Sequence, residues 1–338
     1  MSRVLYAVLD WGLGHATRSS VLIDYLIDQG CTVDIYTGGN AEIYLRQRFP
    51  DLKIIPTRHL CIRSHSRASS FIRWPYQLLR QYLRDRRWSR RHAASYDRII
   101  SDGRSGIRSR HCPAAFINHQ VQIQHYDVPL SGAWSRIVRG LSAKYQQLWI
   151  PDYQDPKKSL AGPLSRSIHT HTYYLGPLSS WQLSDGPAQL DVDVLVILSG
   201  IEPARTHLQD RLIALLSTMP DITWELVTGT QVSDNSYHEM LSSDELSSLV
   251  GASRIVIARS GYSTIMDLHL AGKRAILIPT PGQPEQEYLA EHLPQNLVAR
   301  TEESLTAEDI ISVLSSKVEL QKSVEDNRWK DVLTQFVH

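Results

Sequence analysis

Two short stretches of this 338-residue chain combine residue types that can bind an anion and move a proton. The first is Arg259-Ser260-Gly261-Tyr262-Ser263-Thr264, which follows an apolar run and leads into Ile265-Met266-Asp267. A strand ending at Arg259, a tight Ser-Gly turn and a helix starting near Ser263 would aim backbone N–H groups and a helix dipole at one point, which favours a diphosphate. Ser260, Ser263 and Thr264 add hydroxyl donors, and Asp267, one turn further in, can accept hydrogen bonds from a ribose diol. An ordinary capped turn with a surface Asp has the same pattern. The second stretch is Gly12-Leu13-Gly14-His15. Glycine permits close backbone approach to a ligand. A His at a helix start can serve as a base near neutral pH, or only position backbone or phosphate. Asp102, closing Ile99-Ile100-Ser101, and His119, closing Ala114–Asn118, also stand at strand ends. Either can be the base, can orient it, or can simply close its strand.

The elements that must hold these residues follow from periodicity. Arg3–Asp10 is a nearly continuous apolar run, as in a strand buried on both faces. Val21, Leu22, Tyr25 and Leu26 share one helical face, with Gly30 at the C-cap position. A strand over Thr32–Gly39 completes a parallel strand–helix–strand unit. Further short strands lie in 51–56, 96–102, 113–118, 147–152 and 171–177. A second alternating series runs from Val192 through helices near 204–218, 244–251 and 263–272 and strands at 223–229, 254–261 and 274–282, with a helical stretch over 305–337. Between the series lies a Gly-, Pro-, Ser- and Asp-rich stretch, 176–191, read as a linker. The reading is therefore α/β, with an N-terminal domain over 1–175, a C-terminal domain over 192–322 and a final helix, 323–338, packing back on the first domain. Ligands of such sheets bind beyond the C-terminal strand ends, so a cleft between the domains is the expected site.

Composition excludes several classes. The apolar fraction is 42% and the charged fraction 21%, ordinary for a globular protein. There is no 18-residue apolar run and no signal-peptide pattern at the start, and Cys31, Cys61 and Cys112 form no CxxC. The expectation is a cytoplasmic protein with reduced thiols. Net charge is +1, but residues 1–175 hold 25 Lys and Arg against 12 Asp and Glu (+13), and the remainder 11 against 23 (−12). A basic first half suits an anionic acceptor, a phospholipid surface or a nucleic acid. The acidic second half argues against wrapping the whole chain around nucleic acid.

The 254–293 segment resembles the donor-binding stretch of the GT-B glycosyltransferases related to the GlcNAc transferase that makes lipid II. The resemblance rests on Arg259-Ser260-Gly261, the acidic Asp267, the pair Ala271-Gly272, the apolar strand Ile276 to Pro279, and Gln286-Glu287-Tyr288. It implies a GT-B fold, two Rossmann-like doubly wound domains facing across a cleft. It also implies an inverting transfer from a UDP-sugar, with neither metal nor cofactor beyond that co-substrate. In the family the acidic residue is Glu and holds the ribose, and a Gln pair contacts the donor sugar. Here those positions are Asp267, Gln286 and Glu287, and the last departure bears on which sugar is taken. Ser199-Gly200 stands where the family has a Gly-Gly-Ser loop near the donor phosphates, with one glycine fewer, and an ordinary strand–helix loop fits equally. Gly12 and Gly14 match the N-domain glycine loop, and Leu246 is placed near the uracil. Tyr262 and Gln283 complete the candidate donor set.

Other motifs are absent or weak. GLGHAT has Thr17 where a dinucleotide fingerprint needs Gly, and there is no P-loop. Asp191-Val-Asp193 precedes a buried strand instead of ending one, and His169-x-His171 has no third partner, so no metal site is expected. Residues 58–91 hold ten arginines and one acid, Asp85, with Trp74, Tyr76, Tyr82 and Trp88 interleaved. Arg73, Trp74, Arg80, Arg84 and Arg87 are the candidate acceptor or membrane-surface residues, and a solvated helix with its aromatics in the core is the alternative. Single-stranded nucleic acid suits the same interleaving, but no RNP, KH or zinc signature accompanies it, so nucleic acid is not the expected partner. The expected activity is UDP-sugar-dependent transfer to an unidentified, anionic or lipid-linked acceptor, peripheral at the inner face of the membrane. A UDP-sugar hydrolase of the same fold, a sugar-nucleotide epimerase and a non-catalytic polyanion-binding module with a vestigial nucleotide site are the alternatives.

Overall fold

Apolar runs such as VLYAV and IVIA alternate with amphipathic stretches, and the chain accordingly folds into strands covered by helices. The computed structural model describes residues 1–58, 67–122, 131–167, 169–183, 191–200, 202–228, 241–316 and 326–338, and the side chains of all but 67–75, 131, 133 and 134 among these. The described residues form two units, Met1–Leu178 with Glu325–His338, and Ser179–Val324.

In the first unit the elements are β1 (Arg3–Val8), α1 (Gly14–Asp28), β2 (Thr32–Thr37), α2 (Gly39–Arg48), β3 (Lys53–Pro56), α3 (Arg67–His92), β4 (Arg98–Asp102), β5 (Ala114–Ile117), α4 (Ser131–Ser142), β6 (Gln147–Ile150) and β7 (Thr172–Tyr174). The strands make one seven-stranded sheet in the order β3-β2-β1-β4-β5-β6-β7, every pair parallel. The central β1 is buried on both faces from Val4 to Val8, as a parallel sheet covered by helices requires. The order reverses between β1 and β4, so the loops after these two strands diverge and open a crevice at their C-terminal ends.

In the second unit they are β8 (Val192–Leu198), α5 (Ala204–Leu216), β9 (Trp224–Thr228), α6 (Ser243–Ala252), β10 (Ser253–Arg259), α7 (Tyr262–Ala271), β11 (Arg274–Ile278), α8 (Pro284–Glu291), β12 (Leu297–Ala299) and α9 (Ala307–Ser315). The sheet order is β12-β11-β10-β8-β9, again all parallel. Its switch point lies between β8 and β10, which puts Ser199-Gly200 and Ser260-Gly261 on adjacent strand ends. Val194, Val196, Leu208, Leu212, Ile255, Ile257 and Ile276 form the core on one face.

The helical stretch expected over 305–337 is α9 followed, after residues outside the described set, by α10 (Arg328–Val337). α10 belongs to the first unit. Ser2 Oγ donates to the Val337 carbonyl at 2.6 Å, Arg98 Nε to the Phe336 carbonyl at 2.6 Å, and Tyr25 and Thr334 join hydroxyls at 2.8 Å. Phe336 meets Trp149 edge-on at 5.1 Å, and Trp329 meets Tyr25 likewise at 5.2 Å. From Ser179 onward the Ser-rich stretch between the sheets packs on the second unit: Trp181 and Leu183 lie against Leu195, Val227 and Val250, and the Gln182 N–H donates to Ser247 Oγ at 3.1 Å.

Candidate active site

At the first switch point three expected residues come together around one that the motif reading did not single out. α1 opens at Gly14, so His15 sits in its first turn, and Asp102 is the last residue of β4. His15 Nδ1 lies 2.8 Å from Asp102 Oδ1. Arg18, one turn further along α1 and 2% exposed, donates from Nε to Asp102 Oδ2 at 2.7 Å and from Nη2 to Oδ1. Ser19 Oγ adds a second donor to Oδ2 at 3.0 Å. Arg18 Nη1 reaches His119 Nδ1 at 3.3 Å. The i, i+3, i+4 spacing of His15, Arg18 and Ser19 puts all three on one helix face, and β4, adjacent to β1, delivers the carboxylate to it.

Asp102 is fully buried. Burial by itself opposes its ionisation, but Arg18 and His15 outweigh that and hold the carboxyl far below the usual carboxylate range. His15 is shifted down: desolvation and the Arg18 charge disfavour the imidazolium, against the opposing pull of Asp102. His15 is thus a neutral imidazole at neutral pH. Its side chain is 19% exposed.

Arg18 Nη2 lies 2.8 Å from His15 Nδ1 as well as on Asp102 Oδ1. Nδ1 can therefore accept from Arg18 or donate to Asp102. A bare Nδ1 would oppose its lone pair to a carboxylate oxygen at 2.8 Å, whereas Nδ1–H makes a charge-assisted bond to it. With Nδ1–H on the carboxylate, Nε2, which has no hydrogen-bond partner among the described residues, keeps its lone pair.

Glycines shape this corner. Gly103 has φ +72°, and a Cβ there would lie 2.9 Å from Leu9 Cδ2 and 3.1 Å from His15 Cε1. Gly12 also takes a left-handed φ, +72°, and nothing lies within 4 Å of where its Cβ would be. The next residue, Arg104, is buried and clamps Asp10 at 3.1 Å and both oxygens of Asp85 at 3.0 Å, tying α3 to the loop after β1.

In the second unit, α7 starts at Tyr262 with Gly261 as N-cap and no side chain capping it. Gly200, with φ +123°, and Ser199 end the neighbouring strand. Arg259 is buried and supports the loops, donating to the Ala204 carbonyl at 2.7 Å and pairing with Glu302 at 2.6 Å. Ser260 Oγ donates to the Gln286 carbonyl at 2.9 Å. Gln286 Oε1 accepts from the Thr280 N–H at 2.9 Å and Glu287 Oε1 from the Gly282 N–H at 2.8 Å, so both brace the β11–α8 loop whose last residue is Gln283. Ser263 and Thr264 fall in the first turn of α7, and Leu246 packs against the cluster of Leu195, Val227 and Val250.

Asp267 is 7% exposed, so the surface-Asp alternative does not hold, and its Oδ1 accepts from Ser179 Oγ at 2.5 Å. Desolvation raises its pKa to about 7, with hydrogen bonds from the Ser179 hydroxyl and the Ser180 backbone opposing. The carboxyl thus staples the incoming chain to α7. Because the folded value is raised, this contribution is complete below about pH 4 and lost as pH rises through about 7. Replacement by Asn should remove most of that dependence, with a difference of at most about 4 kcal/mol between the limits. Urea unfolding of both forms at pH 5 and pH 8 measures it, and parallel pH slopes would refute it.

The basic helix divides. Trp88 packs at a tilt on Tyr36, with ring centroids 4.5 Å apart, and lies against the core, and Tyr82 accepts from Arg108 at 3.4 Å. Arg80 and Arg87 are exposed and Arg84 is half-buried. Tyr76 (60% exposed), Leu79 and Leu83 share the outer face with Arg80 and Arg87. The side chains of Arg73 and Trp74, and residues 59–66, lie outside the described set. Among the described residues no helix is long and apolar enough to cross a membrane, and no group of three or more His, Cys, Asp or Glu is arranged to hold a metal ion.

Comparison with known proteins agrees with this fold. No curated protein sequence matches the chain. Residues 224–330 match the glycosyltransferase family 28 C-terminal domain, and residues 2–69 match a glycosyl transferase family 1 model. Among solved structures, the chain resembles UGT89C1 of Arabidopsis thaliana complexed with UDP-L-rhamnose (TM-score 0.61, 13% identity, covering 99% of this chain and 92% of that one). It resembles the spinosyn rhamnosyltransferase SpnG complexed with thymidine diphosphate (0.61, 12%, 100% and 96%) and MurG of Acinetobacter baumannii (0.56, 13%, 99% and 98%). Two parallel α/β sheets of these orders, matched over nearly the whole chain, define the GT-B glycosyltransferase fold. Within that fold the C-terminal unit carries a glycosyltransferase domain of the family 28 type.

Proposed function

We propose that the protein transfers a sugar from a UDP-sugar to an acceptor hydroxyl with inversion at the anomeric carbon. The observation that carries this reading is the His15–Asp102 pair, which leaves a neutral imidazole nitrogen as a base at the head of α1. The acceptor oxygen bonds to the anomeric carbon as His15 Nε2 takes its proton. The bond from that carbon to the diphosphate oxygen breaks, and UDP leaves with the electron pair. The turn at 260–264 and the start of α7 supply N–H groups and hydroxyls of the kind that stabilise a departing diphosphate. The matched structures with UDP-L-rhamnose and thymidine diphosphate support a nucleotide-sugar donor.

The test is to incubate the protein with UDP-sugars and dTDP-sugars, with and without lipid-linked and soluble acceptors, and to follow nucleotide release and product. UDP release that requires an acceptor supports transfer. Equal release without one means that the same dyad activates water and the protein is a hydrolase. No release from any donor overturns both.

The outer face of α3 suits an anionic acceptor surface, since arginines flank exposed Tyr76, Leu79 and Leu83. Binding to vesicles containing anionic phosphatidylglycerol should weaken several-fold in Leu79→Ser/Leu83→Ser and in high salt. Equal binding by the variant would remove α3 from this role.

A further inference from the structure

The loop between β4 and β5 carries a second set of charged groups beyond Asp102. Tyr82, Arg86 and Ser89, at i, i+4 and i+7, lie on one face of α3. The loop packs directly on that helix because residue 106 is glycine: a Cβ there would lie 2.7 Å from the Tyr82 carbonyl and 2.7 Å from Asp85 Cβ. Ser89 Oγ donates to the Arg108 carbonyl at 2.6 Å, Arg86 Nη1 donates to the same oxygen at 2.5 Å, and the Arg108 N–H donates to Ser89 Oγ at 3.1 Å. With its backbone fixed at Ser89, Arg108 runs its side chain back along α3, and Nη2 donates to the Tyr82 hydroxyl at 3.4 Å. Tyr145, whose buried hydroxyl donates to the Ile107 carbonyl at 3.1 Å, brings the preceding residue, Lys144, to the same loop.

Among the described residues no carboxylate pairs with Arg86, Arg108 or Lys144, and Arg108 Nε is buried without a hydrogen-bond partner. Gathered cations repel one another, and Arg86 registers it: burial, and then the charges of Arg108 and Arg90, lower its pKa. Desolvation by itself would raise the Tyr82 phenol, but the Arg108 hydrogen bond and the charges of Lys144, Arg108 and Arg86 outweigh it and lower the phenol. An anion seated among these groups would relieve the repulsion and give the unpartnered donor an acceptor. We propose that Arg86, Arg108 and Lys144, with the Tyr82 hydroxyl, form a binding site for a phosphate group, distinct from the turn at 260–264. Two planar guanidinium forks match phosphate oxygens, and the exposed Lys144 adds a point charge. Three cations and a hydroxyl suit a dianionic phosphate better than a single carboxylate. Free phosphate and the monoester headgroup of a lipid share this chemistry. The site does not depend on the glycosyl-transfer reading.

Isothermal titration calorimetry with inorganic phosphate, above neutral pH and against sodium chloride of equal ionic strength, measures the site in the full chain. Arg108→Gln and Lys144→Gln should each weaken phosphate binding about 10-fold. Lys144 is exposed, so its replacement leaves the fold intact even where thermal melts show that Arg108→Gln does not. Leu79→Ser/Leu83→Ser, which alters the outer face of α3, should leave the phosphate titration unchanged. The second probe is flotation with phosphatidylcholine vesicles carrying either phosphatidic acid or phosphatidylglycerol at matched charge. A preference for phosphatidic acid that the variants lose, with weak binding of free phosphate, assigns the site to a lipid headgroup. Variant-sensitive binding of free phosphate without that preference assigns it to a soluble phosphate. The proposal is overturned if neither probe separates wild type from the two variants, whether all bind equally or none binds.

Discussion

His15→Ala lowers kcat for sugar transfer by about 10²–10⁴-fold, the range expected when a positioned general base is removed. The fold survives, because the side chain is partly exposed and its loss leaves Asp102 still held by Arg18 and Ser19. UDP affinity should change little, since the diphosphate is assigned to the second unit. The pH profile is the second part of this prediction. Burial and the Arg18 charge shift His15 down from 6.5, so the deprotonated, active form persists to lower pH than for an ordinary histidine. The acid limb of kcat/KM should therefore fall below pH 6.5, and in His15→Ala that limb should disappear. An unchanged kcat, or a limb above pH 7, would reassign the base.

The larger effect on stability is expected at Asp102. Asp102→Ala strands the Arg18 guanidinium, 2% exposed, without its bidentate partner. Removing one member of a buried pair costs about 3–5 kcal/mol because the other charge stays desolvated. Removing both is a milder change: Arg18→Met/Asp102→Leu should recover much of the loss while remaining inactive. The folded pKa of Asp102 is depressed, so its contribution is present above about pH 4 and lost as pH falls below that. Urea unfolding followed by a first-unit probe such as Trp149, at pH 7 and pH 3, separates the cases. A double variant no more stable than Asp102→Ala at pH 7 would show that the cost is packing and not stranded charge.

These two predictions stand on residues that the sequence identified for different reasons. Strand, turn and helix around 254–272 were legible because a buried parallel strand is a continuous apolar run and a Ser-Gly turn punctuates it. Two α/β domains followed from two alternating series, and the resemblance around Arg259-Ser260-Gly261, which implied the GT-B fold, agrees with the family 28 domain match. His15 was legible as a polar residue at a helix start, and Asp102 and His119 as polar residues at strand ends, a one-dimensional property. That they meet was not, because the separations of 87 residues to Asp102 and 101 from Arg18 to His119 are closed only by the β1–β4–β5 adjacency.

Arg18 shows what periodicity could have found. Its i+3 spacing from His15 puts it on the same helix face, yet an Arg on an otherwise ordinary helix reads as solvated until the sheet order buries it. Asp267 shows the opposite case: its acidic type and place on α7 were visible, but its partner, Ser179, comes from 88 residues earlier in the chain. The basic stretch of α3 likewise split only on folding, with Trp88 turned into the core and Leu79 and Leu83 left outside.

The sequence by itself determined the local elements, the α/β class and the residue types available for chemistry, because apolar period and turn chemistry act over a few residues. Tertiary structure decided which of those residues share a site and which carboxylates stay charged. These depend on desolvation and on partners brought within about 3 Å, and only the pairing order of the strands sets them.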